Sequence, residues 1–339
     1  MIEYLSHLAR GQDLSEAEAA QAMELIMRDE ATPSQIAGFL MALRVKGETV
    51  EEITGLARTA RRLATPIEIP DPASLLDVVG TGGDGSGSFN ISTLSAIVAA
   101  ACGVRVAKHG NRAASSLCGS ADVLEALEVR IDLKPEGVAR CVEEAGIGFL
   151  FAPLFHPSFR FAGVPRRELG VRTVFNILGP LCNPAGAGLL ALGVPEAELG
   201  RRMADVLGRL GSRRALVFQG EGLDELSTAG PSLVIEIIEG DRREYQLDPR
   251  ELNLAPADRE ELRGGTAELN ARIARDLLAG AKGAKRDILL LNSSAALRAA
   301  GLSQEWKEGL GLAAEAIDSG RAAALLEGWA RTSQALAAA

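Results

Sequence analysis

Residues 75–93 read LLDVVGTGGDGSGSFNIST, and the order of their parts decides the fold. Leu75–Val79 is a short apolar run of strand type, and Gly80-Thr81-Gly82-Gly83-Asp84-Gly85-Ser86-Gly87-Ser88 follows it. A helix is expected to begin near Asn90–Thr93. A strand that passes through glycines into a helix N-terminus suits anion binding. Glycines let backbone N–H groups crowd around oxygens, and the helix adds the positive end of its dipole. Ser88, Asn90, Ser92 and Thr93 supply further donors, and five glycines in the eight residues from Gly80 to Gly87 exceed what a plain connection needs.

Gly80, Gly82 and Gly85 also satisfy G-x-G-x-x-G, but a dinucleotide fingerprint does not fit. The loop is longer than a Rossmann turn, and Asp84 would repel a bare pyrophosphate unless a metal intervened. The next strand ends in Lys108 and His109, where an acid should meet the ribose hydroxyls. No Gly-Lys-Ser/Thr follows, so a Walker loop fails as well.

Downstream, short apolar runs alternate with helical stretches at Val104–Ala107, Phe149–Phe151, Arg214–Phe218, Leu233–Ile238 and Asp287–Leu291. This alternation predicts an α/β domain with a central, mostly parallel sheet flanked by helices. The Ala-rich tail after Gly320 is expected to be a closing helix. Upstream, Pro66–Pro72 (PIEIPDP) reads as a linker. Before it, Ser15 with Glu18, Thr32 with Gln35 and Thr49 with Glu52 form capping boxes, and Ile36, Phe39, Leu40 and Leu43 recur at helical spacing. The expected organisation is a small N-terminal helical domain at 1–64, a linker at 65–74 and a larger α/β domain at 75–339. The segment near 155–185 is expected to return to the hinge and the helical domain.

Composition narrows the function classes. The chain has 339 residues, 47% hydrophobic and 24% charged, which excludes disordered and fibrous classes. Its net charge of −9 argues against general affinity for nucleic-acid backbones or anionic membranes. Four cysteines without a Cys-x-x-Cys pair, and three histidines, do not make a zinc site and read as reduced thiols. The longest apolar stretch, Ala96–Cys102, is far below the ~20 residues of a bilayer span. With no leader pattern at the start, a cytoplasmic protein is expected.

Two further runs carry chemistry. Lys108-His109-Gly110-Asn111-Arg112-Ala113-Ala114-Ser115-Ser116, then Gly119-Ser120-Ala121-Asp122, leave the next strand at what should be the ligand edge of the sheet. Gly220-Glu221-Gly222-Leu223-Asp224-Glu225-Leu226-Ser227 follows the strand Arg214–Phe218, and its adjacent carboxylates suit a magnesium clamp on phosphate oxygens.

Together these elements resemble the anthranilate phosphoribosyltransferase family of tryptophan biosynthesis. The resemblance lies in GTGGDG (80–85), NIST (90–93), KHGNRAASS (108–116), GSADVLEAL (119–127), RTVFNILGPLCNPA (172–185) and DELS (224–227), in the family's order. It implies transfer of a phosphoribosyl group from 5-phosphoribosyl-1-pyrophosphate to the amine of anthranilate, with two magnesium ions and a homodimer joined through the helical domain. It further implies that Gly80, Gly83, Asp84, Ser88, Asn90, Ile91, Ser92, Thr93, the run Lys108–Ser116 and Ser120 hold the donor. Ser92, Asp224 and Glu225 fall on the family's metal ligands, and Gly80, Asn111 and Arg166 on its anthranilate contacts. Between Arg160 and Arg172 stand four arginines and one acid, Glu168, and a guanidinium fork matches an aromatic carboxylate. No residue of these motifs is compelling as an acid or base, and His156, ahead of Pro157, is expected at a helix start.

The chain departs from the family's pattern at Val164-Pro165, Leu117-Cys118, Ser88, Phe159-Arg160 and Glu128, the last replacing a customary glycine. Two alternatives share the architecture. A pyrimidine nucleoside phosphorylase would use free phosphate and has no need of an Asn111–Arg166 pair. A non-catalytic nucleic-acid-binding relative should carry a broad basic surface, which a net charge of −9 does not offer.

Overall fold

The computed structural model describes residues 1–113 and 116–338. The chain opens with helices α1 (Ile2–Ala9), α2 (Glu16–Met27), α3 (Pro33–Lys46) and α4 (Val50–Arg62). Next come β1 (Leu76–Gly80), α5 (Ile91–Ala101), β2 (Val106–Gly110), α6 (Ser120–Ala126), α7 (Pro135–Ala145) and β3 (Ile147–Phe151). The short helices α8 (Ala152–Phe155), α9 (Gly163–Leu169) and α10 (Phe175–Leu178) lead to β4 (Leu189–Gly193), α11 (Ala197–Arg209), β5 (Arg214–Gly220), β6 (Ser232–Ile238) and β7 (Asp241–Leu247). Helices α12 (Ala267–Leu278), α13 (Ala284–Ala299), α14 (Trp306–Asp318) and α15 (Arg321–Ala337) follow.

Local chemistry explains the first helices. Each of Ser15, Thr32 and Thr49 accepts the N–H three residues on, and Glu18, Gln35 and Glu52 reach back in turn. Glu52 goes further: fully buried, it accepts the Leu14 N–H at 2.9 Å and the Lys46 ammonium at 3.0 Å, so one carboxylate ties α3 and α4 to the loop before α2.

Among the described residues the sheet has seven strands in the order β3-β2-β1-β4-β5-β6-β7. β1 to β5 pair in parallel, and β6 and β7 add an antiparallel edge. The order reverses between β1 and β4, which opens a crevice at the carboxyl ends of the strands. One face of the sheet packs on α5, α7 and α12–α15. On the other face, Leu190, Leu192, Val217 and Ile235 share an apolar cluster with α11, with α2–α4, and with Ala162, Phe175, Leu178 and Leu181 of the 157–181 segment. No helix among the described residues is long and apolar enough to cross a membrane.

The structure corrects one expected strand. Asp287–Leu291 lies inside α13, where Ile288–Leu291 are all buried. A helix enclosed on every side has a continuous apolar run, so periodicity does not separate it from a buried strand. β4 and β7 were not among the expected strands. LLALG carries no β-branched residue, and DRREYQL is charged because it forms the exposed edge.

Glu128 sits at φ +67°, in the left-handed region that favours glycine. Glu128→Gly should therefore raise stability by about 0.5–1 kcal/mol, read as the free energy of denaturant unfolding.

Candidate active site

The crevice is built from the ends of β1, β2 and β5 and from the 163–183 segment. Gly80 ends β1 so close to Asp224 that an added Cβ would stand 2.3 Å from Asp224 Oδ2. Gly82, Gly83, Gly85 and Gly87 all take positive φ, which winds the loop back toward α5. Two of the amides nearest the crevice donate to carboxylates: Gly82 N–H to Asp224 Oδ2 at 2.6 Å, and Ser92 N–H to Glu225 Oε1 at 3.1 Å. Asp84 accepts the Ser86 N–H and hydroxyl at 3.0 Å each, with its other oxygen 3.5 Å from the Asp224 amide. Ser88 Oγ lies 3.2 Å from Ser86 Oγ. Ile91 is buried, so its backbone is what it has to offer a ligand, and Thr93 Oγ1 is buried without a partner among the described residues.

Three acids, Asp84, Asp224 and Glu225, therefore face one another at the mouth of an anion cradle. Burial, then the charge of Asp84, pushes the Asp224 pKa up to about 7. Burial and the neighbouring Asp224 raise Glu225 well above the carboxylate range, offset in part by Lys108. Lys108 alone does not balance such a cluster. Among the described residues no set of three or more side chains is arranged to enclose an ion by itself. Hard oxygen donors that are too few for a cage suit magnesium, which keeps waters and phosphate oxygens in its shell.

The second run is less exposed than its charges suggest. Lys108 is 2% exposed and its ammonium donates to the Val78 carbonyl at 2.5 Å, close to Asp77 and Glu225. The His109 N–H donates to Asp77 Oδ1 at 3.0 Å, and His109 Nδ1 meets the Gly179 carbonyl at 3.1 Å. Burial pushes His109 down to about 3 and His156 to about 4, so both imidazoles are neutral at physiological pH. His156 stands at a helix start, as expected, as the N-cap of the 3-10 helix Pro157–Ala162, and bonds the Cys182 carbonyl at 2.8 Å. Gly110 leaves no room for a Cβ beside Ser120 Oγ. The Asn111 carbonyl accepts the Ser120 hydroxyl at 3.1 Å, and its side-chain oxygen takes the Arg112 N–H at 2.7 Å. Arg112 is engaged by Asp122 and Glu125 at 2.9 and 2.5 Å, while Asp122 also accepts the Ala113 N–H. Ser116 Oγ reaches the Cys118 carbonyl at 3.4 Å. Ala114 and Ser115 lie outside the described residues.

Arg166, on α9, lies over the Phe175 ring at 5.3 Å. Burial lowers its pKa, with no carboxylate to oppose the shift among the described residues. A half-buried guanidinium free of an acid is prepared for an incoming anion.

Three polar residues of this site were given no role by the sequence reading. Arg172 donates to the Gly82 carbonyl at 2.5 Å and lies 3.4 Å from that of Thr81, so it fastens the 163–178 segment to the glycine loop. Because a trans peptide points its N–H away from its carbonyl, this grip also turns the Gly82 and Gly83 N–H groups to the far side. Asp77 Oδ2 accepts Asn183 Nδ2 at 2.7 Å, which also reaches the Ala107 carbonyl at 2.8 Å. A carboxylate among the four buried residues of a five-residue strand was the available signal for Asp77. For Asn183 it was the single polar side chain in GPLCNPA.

This fold and site define a glycosyl transferase of two parts. A family model for the glycosyl transferase helical bundle domain matches residues 2–64, and one for the glycosyl transferase a/b domain matches residues 72–323. An anthranilate phosphoribosyltransferase from Streptomyces coelicolor is 57% identical over 321 residues, 94% of this chain and 96% of the relative. The crystal structure of the Thermus thermophilus anthranilate phosphoribosyltransferase superposes with a TM-score of 0.92 at 48% identity, covering 98% of this chain and 99% of that one. The Saccharomyces cerevisiae enzyme in complex with 5-phosphoribosyl-1-pyrophosphate and magnesium gives a TM-score of 0.90 at 30% identity, covering 98% of each chain. The chain belongs to the anthranilate phosphoribosyltransferase family.

The pKa of Asp224 carries a stability consequence. A carboxyl group raised on folding favours the folded state at low pH, and that contribution is lost as pH rises from about 4 through about 7. Asp224→Asn does not titrate, so without magnesium its Tm should gain on wild type between pH 5 and pH 8, by at least about 3 °C. Paired thermal melts across that range read the difference.

Proposed function

We propose that the protein transfers the 5-phosphoribosyl group from 5-phosphoribosyl-1-pyrophosphate to the amine of anthranilate, releasing pyrophosphate, as the second step of tryptophan biosynthesis from chorismate. The observation that carries this reading is the pairing of glycine-loop and α5 amides with Asp224 and Glu225, together with an Arg166 that has no acid partner among the described residues. The donor is held by Gly80, Gly83, Asp84, Ser88, Asn90–Thr93, the run from Lys108 to Ser116, and Ser120. Ser92, Asp224 and Glu225 hold two magnesium ions, which when bound neutralise charge building on the leaving pyrophosphate.

Anthranilate is held by Arg166, Asn111 and the close approach allowed at Gly80. Arg166 offers the carboxylate two parallel N–H bonds, which fixes the ring and sets the ortho amine against the anomeric carbon. The C–N bond forms on the face opposite the departing pyrophosphate, with inversion. Neither His109 nor His156 is placed here as a base, and the amine proton leaves to water or pyrophosphate. Positioning and electrostatics then supply the acceleration. The protein acts in the cytoplasm as a homodimer. Ile2 and Val45, 76% and 81% exposed on the helical domain, support that surface as the contact.

Mixing protein, magnesium and 5-phosphoribosyl-1-pyrophosphate with anthranilate should extinguish anthranilate fluorescence, and leaving out the metal should abolish the loss. No loss with either metal present or absent would refute the reaction. Arg166→Ala should raise KM for anthranilate at least about tenfold while moving the donor KM less than about twofold. An equal rise in both would remove Arg166 from the acceptor site.

A further inference from the structure

Asn90 occupies the N-cap position of α5, where asparagine ordinarily turns its side-chain oxygen onto the N–H of the second or third helical residue. Here it makes no such bond. Its carboxamide is held away at both ends. Asn270 Nδ2 donates to Asn90 Oδ1 at 2.8 Å, and the Cys118 thiol approaches the same oxygen at 3.4 Å. Asn90 Nδ2 donates to the Cys118 carbonyl at 3.2 Å.

Asn270 is itself fixed. It is buried in the first turns of α12, 3% exposed, and its Oδ1 accepts the Gly265 N–H at 2.8 Å. The strand of chain before α12 is laid along the glycine loop: Phe89 N–H donates to the Leu262 carbonyl at 3.2 Å and Gly264 N–H to the Gly87 carbonyl at 2.9 Å. A Cβ at Gly264 would stand 2.6 Å from Asn270 Oδ1 and 2.7 Å from Phe89 Cα, so this approach requires glycine.

The effect on α5 follows. A capped helix end has its orphan donors satisfied, whereas an uncapped one keeps them for an anion. With Asn90 drawn aside, Ser92 N–H goes to Glu225 and Thr93 N–H receives no oxygen from the cap residue. We propose that Asn270 is a positioning residue for the phosphoribosyl donor: by holding the Asn90 carboxamide off the α5 N-terminus, it keeps the Thr93 N–H open to a phosphate oxygen, beside the Ser92 N–H that Glu225 holds. Cys118 completes the hold, which gives a role to one of the positions where this chain departs from its family's pattern. The proposal rests on the donor reading given above.

Calorimetric titration of 5-phosphoribosyl-1-pyrophosphate with magnesium tests it, on wild type, Asn270→Ala, Asn90→Ala and the double variant, with KM for anthranilate measured alongside. Asn270→Ala should weaken donor binding about tenfold, leave anthranilate KM within about twofold, and add nothing further in the Asn90→Ala background. Asn270→Leu, which preserves side-chain volume, serves if the alanine variant does not fold, with the same pattern expected. Unchanged donor affinity overturns the proposal. So does a loss of equal size in both backgrounds, since a merely structural role would not depend on Asn90. A wild type that takes up no donor overturns the donor reading itself, so the two failures are told apart in one experiment.

Discussion

The carboxylate of Asp77 does work that the backbone ladder leaves undone. β1 and β4 are in register over five residue pairs, but β1 and β2 are registered at Leu76 and Val106. Beyond that point side chains replace the ladder. Asp77 takes the His109 N–H, and the Lys108 ammonium takes the Val78 carbonyl. A fully buried carboxylate is costly unless bonded, and burial accordingly raises the Asp77 pKa to about 6 against the pull of Lys108 and Asn183. The glycine loop leaves one of these strands and the KHGNR run the other, so the spacing between the two runs depends on this buried group. Asn183 brings a third party to it, the segment that carries Arg166 and Arg172.

That segment connects the two parts of the molecule. Its residues Ala162, Phe175, Leu178 and Leu181 share the apolar cluster of α2–α4, and Arg61 of α4 donates to the Leu181 carbonyl at 2.5 Å. Its polar side meets the sheet through His109 and Asn183, while His156 bonds the segment's own Cys182 carbonyl. Two neutral imidazoles suit this position: they bond carbonyls without bringing a charge into an apolar seam. The Arg166 side of the crevice is thus tied to the helical domain by packing and to the glycine-loop side by a few directed hydrogen bonds.

Much of this was legible in the sequence because local chemistry coincides with the global fold. The capping boxes at Ser15, Thr32 and Thr49 are local devices, and all three form. The glycine loop declares itself by composition. The unread parts depend on distant partners. LLALG becomes a strand because β1 and β5 lie on either side of it, and Ile288–Leu291 stays helical because neighbours enclose it. Lys108 looked like a ligand-facing charge, yet its ammonium is turned into the sheet and donates to the Val78 carbonyl, 30 residues earlier in the chain. Asn270 stands 180 residues from the side chain it holds, a relation that spacing does not reveal.

The bonds from Gly82 and Ser92 to the carboxylates also bear on which anions the crevice admits. A bare phosphate ester competing for those amides would take them from Asp224 and Glu225 and leave two buried carboxyl groups, whose ionisation burial already opposes, without their donors beside its own charge. An ester that arrives with its cation offers the displaced carboxylates a new partner, so amides and acids are satisfied by the same event. On the donor reading proposed above, the cradle would favour an anion that arrives with its cation over an uncomplexed one, because the Gly82 and Ser92 amides are already engaged.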